Sequence, residues 1–194
     1  MHTARSRFAV TGALLALIGA GCESATDGQS GPDQRLAQSR QAVAGFAGEL
    51  KQRLTQAMQA DGPASAVSVC AREAPAIALR VSDESGAAVS RTALRYRNPD
   101  NAPVPWQAEL MQDFAARLAA GEDGAVMEHF ATTPEGGARY IKPIVTAPLC
   151  LACHGELEPG PLADAIARYY PADEATGFEA GELRGAFVVE WPPR

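Results

Sequence analysis

The sequence predicts an α+β fold, and three features carry that prediction. A long stretch with helical periodicity begins near residue 32, four shorter stretches have the composition of β-strands, and further helical stretches lie between them. Two of the strands are joined by the turn residues Pro134–Gly137, as in an antiparallel hairpin. Connected antiparallel strands with helices beside them are typical of the α+β class, and residues 32–194 have the length of one domain.

Residues 1–21 are predicted to form an export signal. Arg5 and Arg7 provide a basic start, and the apolar stretch Phe8–Ile18 is shorter than an ordinary membrane-spanning helix. Small residues and then Cys22 follow, a pattern that resembles bacterial lipoprotein signals, in which the cysteine is lipidated after cleavage. Such signals usually carry leucine three residues before the cysteine, where this chain has glycine. Cleavage to a soluble product and an uncleaved anchor are therefore alternatives.

The expected location is the periplasm. The protein is expected to be a lipoprotein held at the membrane through Cys22, or else a soluble periplasmic protein. Residues 22–31 are rich in Ser, Gly and Asp and are predicted to be a flexible tether to the domain of residues 32–194.

The domain is predicted to begin with a long amphipathic helix from Pro32 to Gly62. Its apolar residues keep to one helical face, which favours packing on a core; the alternative is a seam between two copies in a homodimer. The residues of this face are Leu36, Val43, Ala47, Leu50, Leu54 and Met58.

The elements that follow are shorter. We expect a short helix carrying Cys70, a second helix from Pro75 to about Val81, and a strand over Val89–Tyr96. A proline- and asparagine-rich loop then leads to a helix from Pro105 that stops at Gly121.

The second half of the chain supplies most of the predicted sheet. Strands are expected over Ala125–Thr132 and Ala138–Val145, followed by a short helix over Leu162–Tyr169. The last strand, Gly185–Trp191, is almost continuously apolar, which predicts a central position in the sheet.

The composition excludes one class of partner. The chain has 17 basic and 23 acidic side chains, and loss of the basic export signal leaves 15 against 23, a net charge of −8. Nucleic acid is therefore not an expected partner, because phosphate binding needs a basic surface. An acidic surface suits solubility and a basic redox partner.

The strongest motif is Cys150-Leu151-Ala152-Cys153-His154, whose spacing is that of a haem c attachment site. Each thiol bonds one vinyl group of the haem, and the adjacent imidazole ligates the iron. The alternatives are a thioredoxin-like redox pair, a structural disulfide, and a zinc site completed by Cys70 or His129. Export agrees with haem c, since bacteria attach this cofactor outside the cytoplasm.

The second axial ligand must come from upstream, because residues 155–194 contain no His, Met or Cys. A thiolate ligand would lower the reduction potential of the iron, and a methionine would raise it. Cys70 and His129 are equally favoured by the residues alone. The full set of candidates is Cys70, Met58, Met111, Met127 and His129.

Six stretches, in order along the chain, resemble the Tll-like haem-c family. They are Ser65–Cys70, Ala74–Ala78, Arg91–Pro103, Tyr140–Pro143, Tyr170–Pro171 and Gly181–Ala186. The resemblance spans most of the mature chain. It implies a single covalent haem c on a PAS-like α+β fold. The elements predicted above agree with such a fold, as an antiparallel sheet of about four strands with flanking helices and a long N-terminal helix. The resemblance also implies axial ligation by His154 and Cys70.

Four further residues are weaker candidates for cofactor contacts. Arg97, Asn98 and Lys142 carry donors that suit haem propionates, although Asn98 equally suits a structural role in its loop. Tyr140 is a candidate for packing on the porphyrin and equally for the core.

The expected function is redox or small-ligand sensing, with an electron-transfer cytochrome as the alternative. Sensing would exploit a cysteine ligand that leaves the iron on reduction and would need an unidentified redox or signalling partner. No Ser-His-Asp set is evident, so we do not expect an enzyme.

Overall fold

A computed structural model describes residues 31–193. The predicted export signal, the lipidation site Cys22 and residues 22–30 of the predicted tether lie outside the described residues. None of the described helices is both long and apolar enough to cross a membrane.

Helix α1, Pro32–Asp61, is the long amphipathic helix that the sequence predicts. It starts with proline in its first turn, where a missing N–H costs nothing, and it ends at Gly62, whose φ of 80° stops the helix. Val43, Phe46 and Leu50 of α1 are buried against the sheet, so packing on a core is confirmed. A homodimer through this helix stays a prediction.

The segment after α1 is helical throughout but changes its winding at Cys70. Helix α2 spans Pro63–Ser68, a π-helical turn spans Val69–Glu73, and helix α3 spans Ala74–Ser85. Cys70 therefore lies in a widened turn between two α-helices, where the sequence predicts an ordinary short helix. The helix predicted near Pro75 is confirmed, and it runs four residues beyond Val81.

Four antiparallel strands form one sheet in the order β1-β4-β3-β2. The strands are β1, Ala88–Thr92; β2, His129–Thr132; β3, Ala138–Val145; and β4, Leu183–Trp191. The central position of β4 is confirmed, since it pairs with both β1 and β3.

Strands β1 and β2 are shorter than predicted because backbone hydrogen bonds within the adjoining loops turn the chain out of the sheet. After Thr92, the amide of Ala93 donates to the carbonyl of Asn101, which turns the backbone into the following loop. Before His129, the amide of Met127 donates to Gly124 in a turn, so the residues from Ala125 onward do not extend the strand.

Helices cover both faces of the sheet. Helices α1 and α3 pack on one face, and α4, Pro105–Ala119, packs on the other through Met111 and Phe114. Helix α6, Pro161–Tyr169, packs against α2. Helix α5, Pro148–His154, is not predicted by the sequence, and it carries the Cys-X-X-Cys-His motif.

Candidate functional site

A cavity of about 510 Å³ lies on the α1 side of the sheet, within the range of roughly 300–1,000 Å³ that is usual for cofactor pockets. Cys70, Cys150, Cys153 and His154 all line it. Two distant parts of the sequence, the π-helical turn and α5, therefore meet at one site. The apolar part of the lining comprises Phe46, Leu50, Leu54, Met58, Ala66, Val67, Ala74, Pro75, Ala78, Leu79, Val89, Ala93, Ile144, Leu149 and Phe187.

The two motif cysteines lie side by side because α5 is helical. Residues three apart occupy the same face of an α-helix, so Cys150 and Cys153 present their thiols together. Both are partly buried free thiols, as is Cys70. Among the described residues no disulfide forms, which leaves the thiols available for bonds to a cofactor.

His154 is held by its Nδ1 atom. That atom lies 2.7 Å from the carbonyl oxygen of Ala175 and 3.1 Å from Nε of Arg184. Nδ1 cannot donate to the carbonyl and also accept from the guanidinium, and the shorter contact favours an Nδ1–H that donates to Ala175. The other ring nitrogen, Nε2, then keeps the lone pair that a metal requires.

The surroundings of His154 also keep it neutral. Burial, followed by the positive charges of Arg184 and Arg97, lowers the pKa of His154 to about 2. A proton therefore does not compete with a metal for the imidazole at physiological pH.

Arg97 ties the motif helix to the loop that follows α6. Its guanidinium pairs with Asp173 at 3.1 Å and donates to the carbonyls of Cys153 at 2.6 Å and Ala175 at 3.1 Å. Both members of the ion pair are about nine-tenths buried. Arg97 lines the cavity, as the propionate prediction requires, but the structure uses its donors to position the ligand-bearing segment.

Cys70 sits among positive charges. Burial raises the pKa of its thiol, and the nearby Arg91, Arg97 and Arg184 act in the opposite direction. The positive charges around the sulfur favour the thiolate over the thiol, and the thiolate is the form of cysteine that ligates a metal.

The remaining candidate ligands separate into two groups. Met58 lines the cavity, as Cys70 does. His129 is exposed on the edge strand β2, and Met111 and Met127 are buried in the core between α4 and the sheet. Met127 and His129 are therefore not supported as axial ligands, because neither lines the cavity and Met127 packs on the opposite face of the sheet.

The zinc alternative also lacks support. Among residues 31–193, no group of three or more His, Cys, Asp or Glu side chains is arranged to hold a metal ion. A haem iron needs fewer protein ligands than zinc does, because the porphyrin supplies four nitrogens and the protein only the axial positions.

Three of the weaker candidates have structural roles. Asn98 lines the cavity, but its side chain accepts from the amide of Asp100 and caps a short 3₁₀ turn. Tyr140 and Lys142 do not line the cavity, so their predicted cofactor contacts are not supported. They lie in a neighbouring concavity of about 470 Å³, and Phe187 borders both spaces.

Tyr140 and Lys142 are engaged by the chain itself. The hydroxyl of Tyr140 donates to Glu128 at 2.9 Å, and Nζ of Lys142 donates to the carbonyls of Ala125 and Met127. The sequence places both residues correctly on a strand, but it does not show which helix covers that end of the strand.

Arg91 and Arg184 are lining residues that sequence reasoning does not single out. Both occur in stretches that carry the family resemblance, Arg91 in β1 and Arg184 in β4. Their place in these stretches is the signal that the sequence offers, because the local pattern does not show that either arginine lines a cavity.

The cavity therefore suits a haem in size, polarity and charge. A wide apolar wall suits the porphyrin face, and the arginines suit the two anionic propionates of a haem. Two thiols and a neutral imidazole lie along one edge of the cavity, as attachment and axial ligation require.

A family model described as Tll0287-like matches residues 29–192 of the chain. Among solved structures, the crystal structure of the cyanobacterial heme-protein Tll0287 is similar, with a TM-score of 0.66 and 26% sequence identity. The similarity covers 85% of this chain and 98% of that chain. No curated protein matches this chain. The structural similarity agrees with the α+β fold seen in the described residues.

Proposed function

The chain belongs to the Tll0287-like family, and on that premise we propose that it is an exported protein carrying a single covalent haem c. The observation that carries the proposal is the convergence of Cys150, Cys153, His154 and Cys70 on one cavity. The motif cysteines would form the two thioether bonds. His154 and Cys70 would be the axial ligands, with His154 bound through Nε2. The haem, when bound, supplies one-electron redox chemistry.

We further propose redox or small-ligand sensing with Cys70 as the ligand that changes. A thiolate stabilises ferric iron more than ferrous iron, so reduction weakens its bond. The electron would come from a redox partner protein, and Cys70 would take up a proton as it leaves. The vacated position is one that a small diatomic ligand can occupy.

The fold offers a route from Cys70 to the rest of the protein. π-Helical turns are rare and often mark functional positions, and the amide of Ala74 closes this one onto the carbonyl of Val69. Glu73 in the turn lies 3.7 Å from Arg53 of α1, and Arg72 stacks on Tyr169 of α6 at 5.7 Å. A change of winding at Cys70 would therefore shift contacts to both helices, where a signalling partner would read it.

The location follows from the export signal rather than from the fold. We propose a periplasmic protein, lipid-anchored through Cys22, whose partner is another protein rather than nucleic acid. Labelling with a radioactive fatty acid tests the anchor, since Cys22→Ala should abolish incorporation and Cys70→Ala should not.

One specific observation favours the alternative role in electron transfer. Leu149, next to Cys150, is 41% exposed, so α5 lies at the surface of the described structure. A haem attached there would present its thioether edge to solvent, as an electron carrier requires.

The experiment that separates these functions is absorption spectroscopy of the holoprotein in both oxidation states. The protein would be made in cells equipped to attach haem c, with Cys70→Ala as the test variant and His129→Ala as the matched control. If the protein is a sensor, the wild type should lose its thiolate ligand on reduction and bind carbon monoxide, and the control His129→Ala should behave as the wild type does. Retention of the same two ligands in both states, with no carbon monoxide binding, would favour electron transfer. A colourless product would contradict haem attachment itself.

A further inference from the structure

Arg91 is a cation that faces the cavity without an anionic partner. It lies in β1 opposite Phe187 of β4, and its guanidinium stacks on the ring of Phe46 at 5.5 Å. Among residues 31–193, no carboxylate forms an ion pair with Arg91 and its guanidinium makes no hydrogen bond. Burial of that charge lowers the pKa of Arg91. An unpaired cation in an enclosed site is unfavourable unless a ligand supplies the missing charge.

The other cations of the cavity are already engaged. Arg97 pairs with Asp173, and Arg184 donates to the carbonyl of Arg95. The carboxylate that lines the cavity, that of Asp100, is exposed and belongs to the turn capped by Asn98. Arg91 is therefore left free for a group that enters the cavity.

We propose that Arg91 binds a propionate carboxylate of the haem. The inference rests on the haem c function proposed above and goes beyond it by assigning an anion subsite to a residue outside the motif. A guanidinium presents paired N–H donors whose spacing matches the two oxygens of a carboxylate. The Cys70 sulfur, which is also near Arg91, offers one acceptor atom and would be occupied by the iron.

The first test uses the holoprotein and reads the propionate directly. Resonance Raman spectra would be recorded for wild type, Arg91→Gln, Arg91→Lys and the control Arg117→Gln, whose arginine lies on α4 and does not line the cavity. The propionate bending band should shift in Arg91→Gln and stay at its wild-type position in Arg117→Gln. A lysine keeps the charge but not the paired donors, so the band in Arg91→Lys should lie between the two.

The second test removes the covalent bonds so that the propionates can be varied. In a Cys150→Ala/Cys153→Ala protein, the affinity for haem would be compared with that for haem dimethyl ester, whose propionates carry no charge. With Arg91 present, haem should bind roughly 10- to 100-fold more tightly, the usual range for a hydrogen bond to a charged group. In the Arg91→Gln background, most of this preference should be lost, because only the second propionate still distinguishes haem from its ester.

The outcomes distinguish the inference from the function on which it rests. If the wild-type chain takes up no haem, the proposed function fails. If haem binds but the propionate band is the same in Arg91→Gln as in wild type, or the ester binds as well as haem with Arg91 present, only the subsite is wrong. A changed Cys70–iron spectrum with an unchanged propionate band would mean that Arg91 partners the thiolate, which also overturns the subsite.

Discussion

Replacement of Arg97 by glutamine should destabilise the protein strongly. The guanidinium of Arg97 joins the C-terminal end of α5 to the loop after α6, through Asp173 and the carbonyls of Cys153 and Ala175. Glutamine is too short to reach all three partners. Among the described residues, loss of the guanidinium leaves the Asp173 carboxylate with the amide of Ala175 as its one hydrogen-bond donor, at 2.8 Å.

The size of the effect follows from burial. The side chains of Arg97 and Asp173 are 9% and 10% exposed, so water cannot replace the lost partner. Removing one member of a buried ion pair typically costs about 3–5 kcal/mol of the free energy of unfolding. The double variant Arg97→Gln/Asp173→Asn removes both charges, and it should recover part of this loss, with a coupling energy of roughly 0.5–3 kcal/mol.

The assay is urea unfolding of the ferric holoprotein, followed by far-ultraviolet circular dichroism. Arg80→Gln is the matched control, because Arg80 is also an ion-paired arginine, but it lies with its two carboxylate partners on an exposed surface of the protein. The control should change the midpoint little, since exposed ion pairs contribute little. A near-wild-type midpoint for Arg97→Gln, or losses in the single variants that simply add in the double variant, would refute the assignment of Arg97 as a buried clamp.

Two further predictions concern two glycines and the ion pair between Arg40 and Glu128. Gly48→Ala in α1 should raise the free energy of unfolding by roughly 0.5–1 kcal/mol, because an added Cβ meets nothing within 4 Å there. Gly185→Ala in β4 should lower the free energy of unfolding, because the added Cβ would lie 2.5 Å from the carbonyl oxygen of Thr92. A melting temperature that is lower for Gly48→Ala than for Gly185→Ala would contradict these two predictions. The hydrogen bond from Arg40 holds the pKa of Glu128 below its ordinary 4.5. The ionised Glu128 therefore stabilises the fold above pH 4.5, and this stabilisation is lost as the pH falls below that value. Glu128→Gln should accordingly be less stable than wild type at pH 7 and approach the wild-type stability in acid. A difference in stability that grows in acid would contradict the assignment.

The sequence was sufficient for elements whose pattern is local. Strand β3 matches its prediction, and β4 is central as its apolar run indicates, because strand periodicity and turn residues are encoded in neighbouring positions. The long helix α1 is likewise visible from its spacing and its Pro–Gly boundaries. The sequence does not predict helix α5, because a seven-residue helix with two cysteines has no clear hydrophobic periodicity.

The cofactor chemistry was predictable from the motif, but the roles of single side chains were not. Arg97 and Lys142 carry suitable donors, yet the structure directs those donors to the protein itself. Which of several arginines is left without a partner depends on contacts such as that between Arg97 and Asp173, which are 76 residues apart. Such pairings are set by tertiary packing, and no local pattern reveals them.

X-ray absorption at the iron edge of the ferric holoprotein is the most direct measurement of the proposed axial ligation. The spectrum should contain one sulfur among the iron ligands, and that sulfur should be lost in Cys70→Ala. It should persist in Met58→Leu, which removes the other sulfur-bearing candidate that lines the cavity. A spectrum with nitrogen ligands alone, or a sulfur that survives in Cys70→Ala, would contradict ligation by His154 and Cys70.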